Sequence, residues 1–222
     1  GFETPTLNEL SYRPDAASGL NTELEAARSR MLELGASQRL GHVDFDAAIF
    51  DVQTRDDIVP AVNRGGRASF QNAERVRRRG AELLARTELG HGFKLKFAAT
   101  WMDARFVRGF SYRVPGETEA RVVADGAAVP GVARLFGGVD LDWTAPNAHT
   151  SALLSLQGSG RVWGDDRNSV AAPGFGRVDI AASHQLTRRV GVWSRIDNLF
   201  DRDLIGSVIV NGVRFDDSSA SV

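Results

Sequence analysis

The sequence predicts an all-β fold: an antiparallel transmembrane β-barrel, present in part, with about eight strands. Three observations predict it. Apolar and polar residues alternate with a period of two, short and long connections follow one another in turn, and tryptophans stand near strand ends.

The clearest strand runs from Phe93 to Trp101. Phe93, Leu95, Phe97, Ala99 and Trp101 fall on one face, and Lys94, Lys96, Ala98 and Thr100 on the other. A strand separates these sets, whereas a helix mixes them. Leu135, Gly137, Val139, Leu141 and Trp143 alternate with Gly138, Asp140 and Asp142 in the same way. Ala152, Leu154, Leu156, Gly158, Gly160 and Val162 do so against Ser155, Gln157, Ser159 and Arg161. A fourth set places Val178, Ile180 and Ala182 against Arg177, Asp179, Ser183 and Gln185. Weaker alternation predicts strands over 29–40, 43–55, 70–89 and 190–198.

Short turns are expected at Gly41-His42, Gly90-His91-Gly92, Thr144 to His149 and Thr187 to Arg189. Long polar connections are expected over 1–28, 56–69, 107–133, 164–174 and 199–217. Up-and-down membrane barrels show this asymmetry, with short periplasmic turns and long extracellular loops. A β-sandwich has no such parity. Trp143 and Trp193 flank short turns, and Trp163 stands where a strand enters a long loop. These positions suit interfacial aromatic girdles, or the caps of a soluble core.

Composition narrows the function classes. The chain has 222 residues, 42% hydrophobic and 25% charged, with a net charge of −1. Near-neutral charge argues against nucleic acid, which calls for a basic excess. No apolar run is long enough for a transmembrane helix, a test that leaves transmembrane strands open. Cysteine is absent, which excludes a disulfide framework and thiolate metal sites and fits export through an oxidising periplasm. The opening residues Gly1 to Pro5 have neither the basic nor the apolar part of a signal peptide, so an exported protein is expected to begin upstream of them.

The run Arg75, Arg77, Arg78 and Arg79 admits a nucleic-acid reading or a strand end leaving a membrane. The second is preferred. Ala81, Leu83 and Ala85 would face lipid, and Arg75 and Arg77 would meet anionic lipopolysaccharide head groups above it.

Chemistry of other kinds finds little support. His42, His91, His149 and His184 have no partner at metal-ligand spacing. Gly158-Ser159-Gly160 lacks a nucleophile elbow, and Gly65-Gly66 and Gly137-Gly138 open no helix that would cradle a phosphate. Asp44, Asp46 and Asp51, and likewise Asp140 and Asp142, are read as charge on the wet lumen face rather than as catalytic carboxylates. No enzyme activity and no cofactor are expected.

Four segments resemble the barrel of TonB-dependent outer-membrane receptors, in that family's order. They are Gly1 to Leu10, with its aromatic-x-x-Pro and Glu-Leu elements; Ser29 to Gly35, with Glu33-Leu34-Gly35; Asn72 followed by Gly80-Ala81-Glu82; and Ile196 to Arg202. Within the last, Asn198-Leu199-Phe200-Asp201 is the most specific match. The resemblance implies a barrel of roughly 22 strands with a plug and a TonB box, of which this chain would carry the C-terminal portion without the final strand.

It further implies TonB-energised uptake of a scarce solute across the bacterial outer membrane, a ferric siderophore first, with cobalamin, another cofactor or a glycan as alternatives. Tyr12, Arg13, Arg64, Arg67, Trp163 and Arg167 are the candidate ligand contacts, because flat aromatic surface and cationic donors suit an anionic chelate. A passive porin-like barrel and a soluble β-sandwich or lipocalin-like module remain the rivals.

Overall fold

Period-two alternation makes each segment a two-faced ribbon, and pairing these ribbons in register makes one two-faced wall. The computed structural model describes residues 1–15, 17–64, 67–114 and 116–205, with Asn63, Arg64 and Arg67 described by backbone alone. In chain order the elements are β1 (Phe2–Glu3), α1 (Leu7–Leu10), β2 (Ala27–Leu40), β3 (Val43–Arg64), β4 (Arg67–Gly90) and β5 (Phe93–Phe106). There follow β6 (Phe110–Tyr112), β7 (Arg121–Val123), β8 (Leu135–Thr144), β9 (Thr150–Ser159), β10 (Val162–Trp163), β11 (Ala171–Ala172), β12 (Phe175–Gln185) and β13 (Gly191–Ile196).

The main sheet has nine strands in the order β1-β2-β3-β4-β5-β8-β9-β12-β13, each antiparallel to its neighbour. Among the described residues it is an open sheet, with β1 and β13 at its edges. β6 pairs with β7, and β10 with β11, as small hairpins in the long connections. All four strong strands and all four weaker ones of the sequence reading are present.

Register aligns the apolar faces across the wall. One row reads Leu40, Val43, Thr87, Leu95, Leu141, Leu154, Ile180 and Ile196. The next upward reads Phe45, Ala85, Phe97, Val139, Leu156 and Val178. Higher still come Leu34, Ile49, Ala81, Trp101 and Leu135. Many of these side chains are exposed, Leu34 by 70% and Ile49 by 57%, as a lipid-facing band requires. At the turn end the Phe93 and Trp143 rings meet at 6.2 Å.

The opposite face is polar and internally bonded. Asp46 accepts from Ser37 at 2.7 Å and pairs with Arg86 at 3.1 Å, and Asp140 accepts from Ser155 at 2.6 Å. Gly80 lies on this face directly across from Phe50. A β-carbon there would strike the Phe50 ring and the Trp101 carbonyl, so the position requires glycine.

Three expectations need correction. Residues 56–69 are not a loop: β3 and β4 continue as a paired hairpin to Arg64 opposite Arg67. The pairing persists because this extension carries an apolar patch. Val59, Ala73 and Val76 join Ala104, Phe106, Val123 and Val129 in a small core, with Phe106 and Val76 wholly buried. Asp51 does not share a face with Asp44 and Asp46. An odd number of steps separates it from Asp46, so it lies in register with Leu32 and Arg79 on the apolar side. Trp193 pairs with Ser183, which puts it on the polar face rather than in an aromatic girdle. Trp143 and Trp101 mark the two ends of the apolar band instead.

Candidate functional site

The short turns gather at one end of the wall and the long connections at the other. Asparagine side chains hold the long connections in place. Asn72 accepts from the Glu25 amide at 2.8 Å and donates to the carbonyls of Glu25 at 2.9 Å and Asp56 at 2.7 Å. Asp56 turns its carbonyl from a left-handed conformation, φ 56°. Asn21 donates to the Phe70 carbonyl at 2.8 Å, adding a second tie between the first connection and β4. Thr6 and Glu9 close a capping box on α1, which gives the Glu9 of the first motif a structural role.

The connections at 107–134 and 160–174 are joined to each other. Asn168 accepts from the Ala128 amide at 2.7 Å and donates to its carbonyl at 2.9 Å. The Gly131 amide donates to the Trp163 carbonyl at 2.8 Å, and the Tyr112 hydroxyl donates to Asp166 Oδ1 at 3.2 Å. Burial pushes the Tyr112 hydroxyl up to about 12, with the Asp166 charge adding to the effect. Burial also raises the Asp166 carboxyl above its ordinary value, against the opposing hydrogen bond from Tyr112. Asp166 Oδ2 is buried without a described hydrogen-bond partner. The two connections therefore form one docked unit over the polar side of β4 and β5.

Asn198 explains the most specific motif. Its amide donates to Asp179 Oδ1 at 2.8 Å, while its side chain bonds the Arg202 carbonyl at 2.9 Å and amide at 3.1 Å. Asn198 and Asp201 both adopt positive φ, 53° and 46°. The motif is thus a clamped turn that anchors the end of β13 to β12.

The predicted contact residues fall into three places. Trp163 and Arg167 share one connection. Arg161 lies over the Trp163 ring at 4.6 Å, and Arg167 stands 3.8 Å from Asp165. Tyr12 and Arg13 lie in the first connection, where Arg13 is committed to Asp15 at 3.0 Å and Glu23 at 3.3 Å. Arg64 and Arg67 face each other at the tip of the β3–β4 hairpin, their side chains outside the described residues, as is Gly65-Gly66 between them. Sequence reasoning passed over Tyr112, Arg161, Asp166 and Asn168. Only Arg161 had a readable signal, its placement two residues from Trp163 on an alternating strand. Among the described residues no three His, Asp or Glu side chains gather to hold a metal ion.

An up-and-down antiparallel wall with an apolar band on one face, bonded polar groups on the other and joined loops at one end defines a section of a membrane β-barrel. Residues 1–199 match the family described as TonB dependent receptor-like, beta-barrel, and the chain belongs to that family. Its members are transporters, not enzymes.

The chain is similar in fold to the ferric yersiniabactin uptake receptor FyuA from Yersinia pestis, at TM-score 0.69 and 21% identity over 90% of this chain and 29% of that one. It is similar to the siderophore receptor PiuA from Acinetobacter baumannii at 0.69 and 18%, over 87% and 28%. The copper transporter OprC also matches, at 0.69 and 17%, over 92% and 30%. The chain spans less than a third of each of these proteins.

Proposed function

We propose that this chain is the C-terminal portion of the barrel wall of an outer-membrane receptor that takes up a scarce solute with energy delivered through TonB. A ferric siderophore is the solute favoured. The carrying observation is the docked unit of two connections, which presents Trp163, Arg161 and Arg167 as an aromatic and cationic surface at the loop end. Such a surface suits a bulky anionic chelate, and two of the similar structures are named as receptors of that kind. Tyr12, Arg13, Arg64 and Arg67 are secondary contacts in this reading. The plug, the TonB box and the remaining strands belong to the whole receptor.

The test is uptake of radioiron-loaded siderophores by cells producing the full receptor, with and without TonB. Uptake should require TonB and should fall roughly tenfold or more when Arg161 and Arg167 are both changed to Ala, one charge-assisted contact being equivalent to about a factor of ten. TonB-independent uptake would favour the porin-like alternative. Saturable uptake of cobalamin or copper alone would reassign the solute.

A further inference from the structure

Above the apolar band the same outer face changes character within one residue pair. Register places Arg28, Arg55 and Arg75 directly beside one another on β2, β3 and β4. All three are exposed. None forms an ion pair with a described residue. Like charges set directly opposite across strands destabilise a sheet, so the row is unfavourable as it stands.

The row below reads Arg30, Gln53, Arg77 and Arg105, and the one below that Leu32, Asp51, Arg79 and Asp103. Across the three rows seven arginines face two carboxylates. Those carboxylates are already shared. Asp51 accepts from Arg77 at 2.8 Å, and Asp103 pairs with Arg105 at 2.8 Å, Arg134 at 3.2 Å and Arg79 at 3.4 Å. The whole chain has a net charge of −1, so this excess is a local segregation rather than a reflection of composition. On the lumen face, by contrast, Arg39 and Arg86 each have an aspartate partner.

The patch is bounded. It covers four adjacent strands, about 14 Å across at the usual strand spacing, and its lower edge meets the row of Leu34, Ile49, Ala81 and Trp101. By register no arginine of β8, β9, β12 or β13 continues it on this face. A partner must therefore bring negative charge to the arginines and apolar chains to the band beneath them, within the width of one large head group.

We propose that the arginine rows on β2 to β5 bind the phosphates of lipid A in the outer leaflet, with its acyl chains lying on the apolar band below. Arg28, Arg55 and Arg75 provide the unpaired charge, while Arg77 is paired with Asp51 and Arg79 and Arg105 with Asp103. The inference rests on the outer-membrane reading and adds a defined lipid site to it.

The experiment uses the full receptor in detergent, freed of bound lipid, and titrates it with bisphosphorylated lipid A, with lipid A stripped of phosphate, and with inorganic phosphate. The variant Arg28→Gln, Arg55→Gln, Arg75→Gln should bind bisphosphorylated lipid A on the order of 100-fold more weakly. Its melting temperature without lipid should equal or exceed that of the native receptor, because the like-charge row is gone. The corresponding three Arg→Lys changes should retain binding within about tenfold. Equal affinity of the Gln variant overturns the proposal. So does equally tight binding of phosphate-free lipid A, or of inorganic phosphate. Fractionation separates the two readings: a receptor absent from the outer membrane defeats both, and one present there with arginine-independent lipid binding defeats only this one.

Discussion

Asn72, Asn168 and Asn198 solve one physical problem three times. Each reaches a single residue's backbone with both its carbonyl and its amino group, replacing hydrogen bonds that an irregular segment cannot make within a sheet. Asn72→Ala should therefore release residues 21–26 from β4 and destabilise that docking by about 1–3 kcal/mol. Hydrogen exchange across 21–26 measures it, and Asn72→Asp, which keeps the acceptor alone, should fall between. Asp166 behaves differently, because burial raises its pKa above the ordinary 3.8. The folded state then holds this proton more tightly than the unfolded chain. Docking of the two connections should strengthen as pH falls through the window between 3.8 and the raised value, and weaken as pH rises through it. Tyr112, Asp165 and Arg167 surround the group and do not reverse that sign. Asp166→Asn should slow exchange in 160–174 at pH 7 and have less effect near pH 4. Faster exchange in the variant at pH 7 would refute the assignment.

At the scale of elements, each strand is two surfaces in different solvents. Leu156 and Gln157 are neighbours in β9, yet Leu156 aligns with Val139 and Val178 on the lipid side while Gln157 aligns with Gly138 and Arg177 on the lumen side. Leu156→Arg should cost about 2–4 kcal/mol in vesicles, and Gln157→Arg far less. Denaturant unfolding of the receptor in lipid vesicles distinguishes them, and equal costs would show that the faces are misassigned. Alternation made these faces readable at once in β5, β8, β9 and β12. It also placed Ala81, Leu83, Ala85, Arg75 and Arg77 correctly along one side of β4. It failed for 56–69, where polar composition suggested a loop. The pairing there depends on Val59, Ala73 and Val76 packing against Phe106 and Val123, residues distant in sequence.

The whole sheet has nine strands and two open edges among the described residues. A spanning sheet in hydrocarbon must close, because lipid offers no partner to a free edge. This segment produced alone should therefore form no heat-modifiable barrel and should aggregate through its edge strands. Gel mobility of heated against unheated samples in detergent tests this, a compact unheated form being the contrary result. Within the full receptor the same edges would be paired.

The sequence by itself determined the strands, the faces of most of them and the family, because a period of two and a few fixed turn residues are local properties. Asn198-Leu199-Phe200-Asp201 was readable as a family mark without its neighbours, although its clamp on Asp179 was not. Tertiary structure alone decided which loops dock together, as Tyr112 with Asp166 and Asn168 with Ala128 show, since those partners lie 54 and 40 positions apart. It also decided that Arg28, Arg55 and Arg75 form a row. Register sets such neighbours, and register is settled only when all the strands pair.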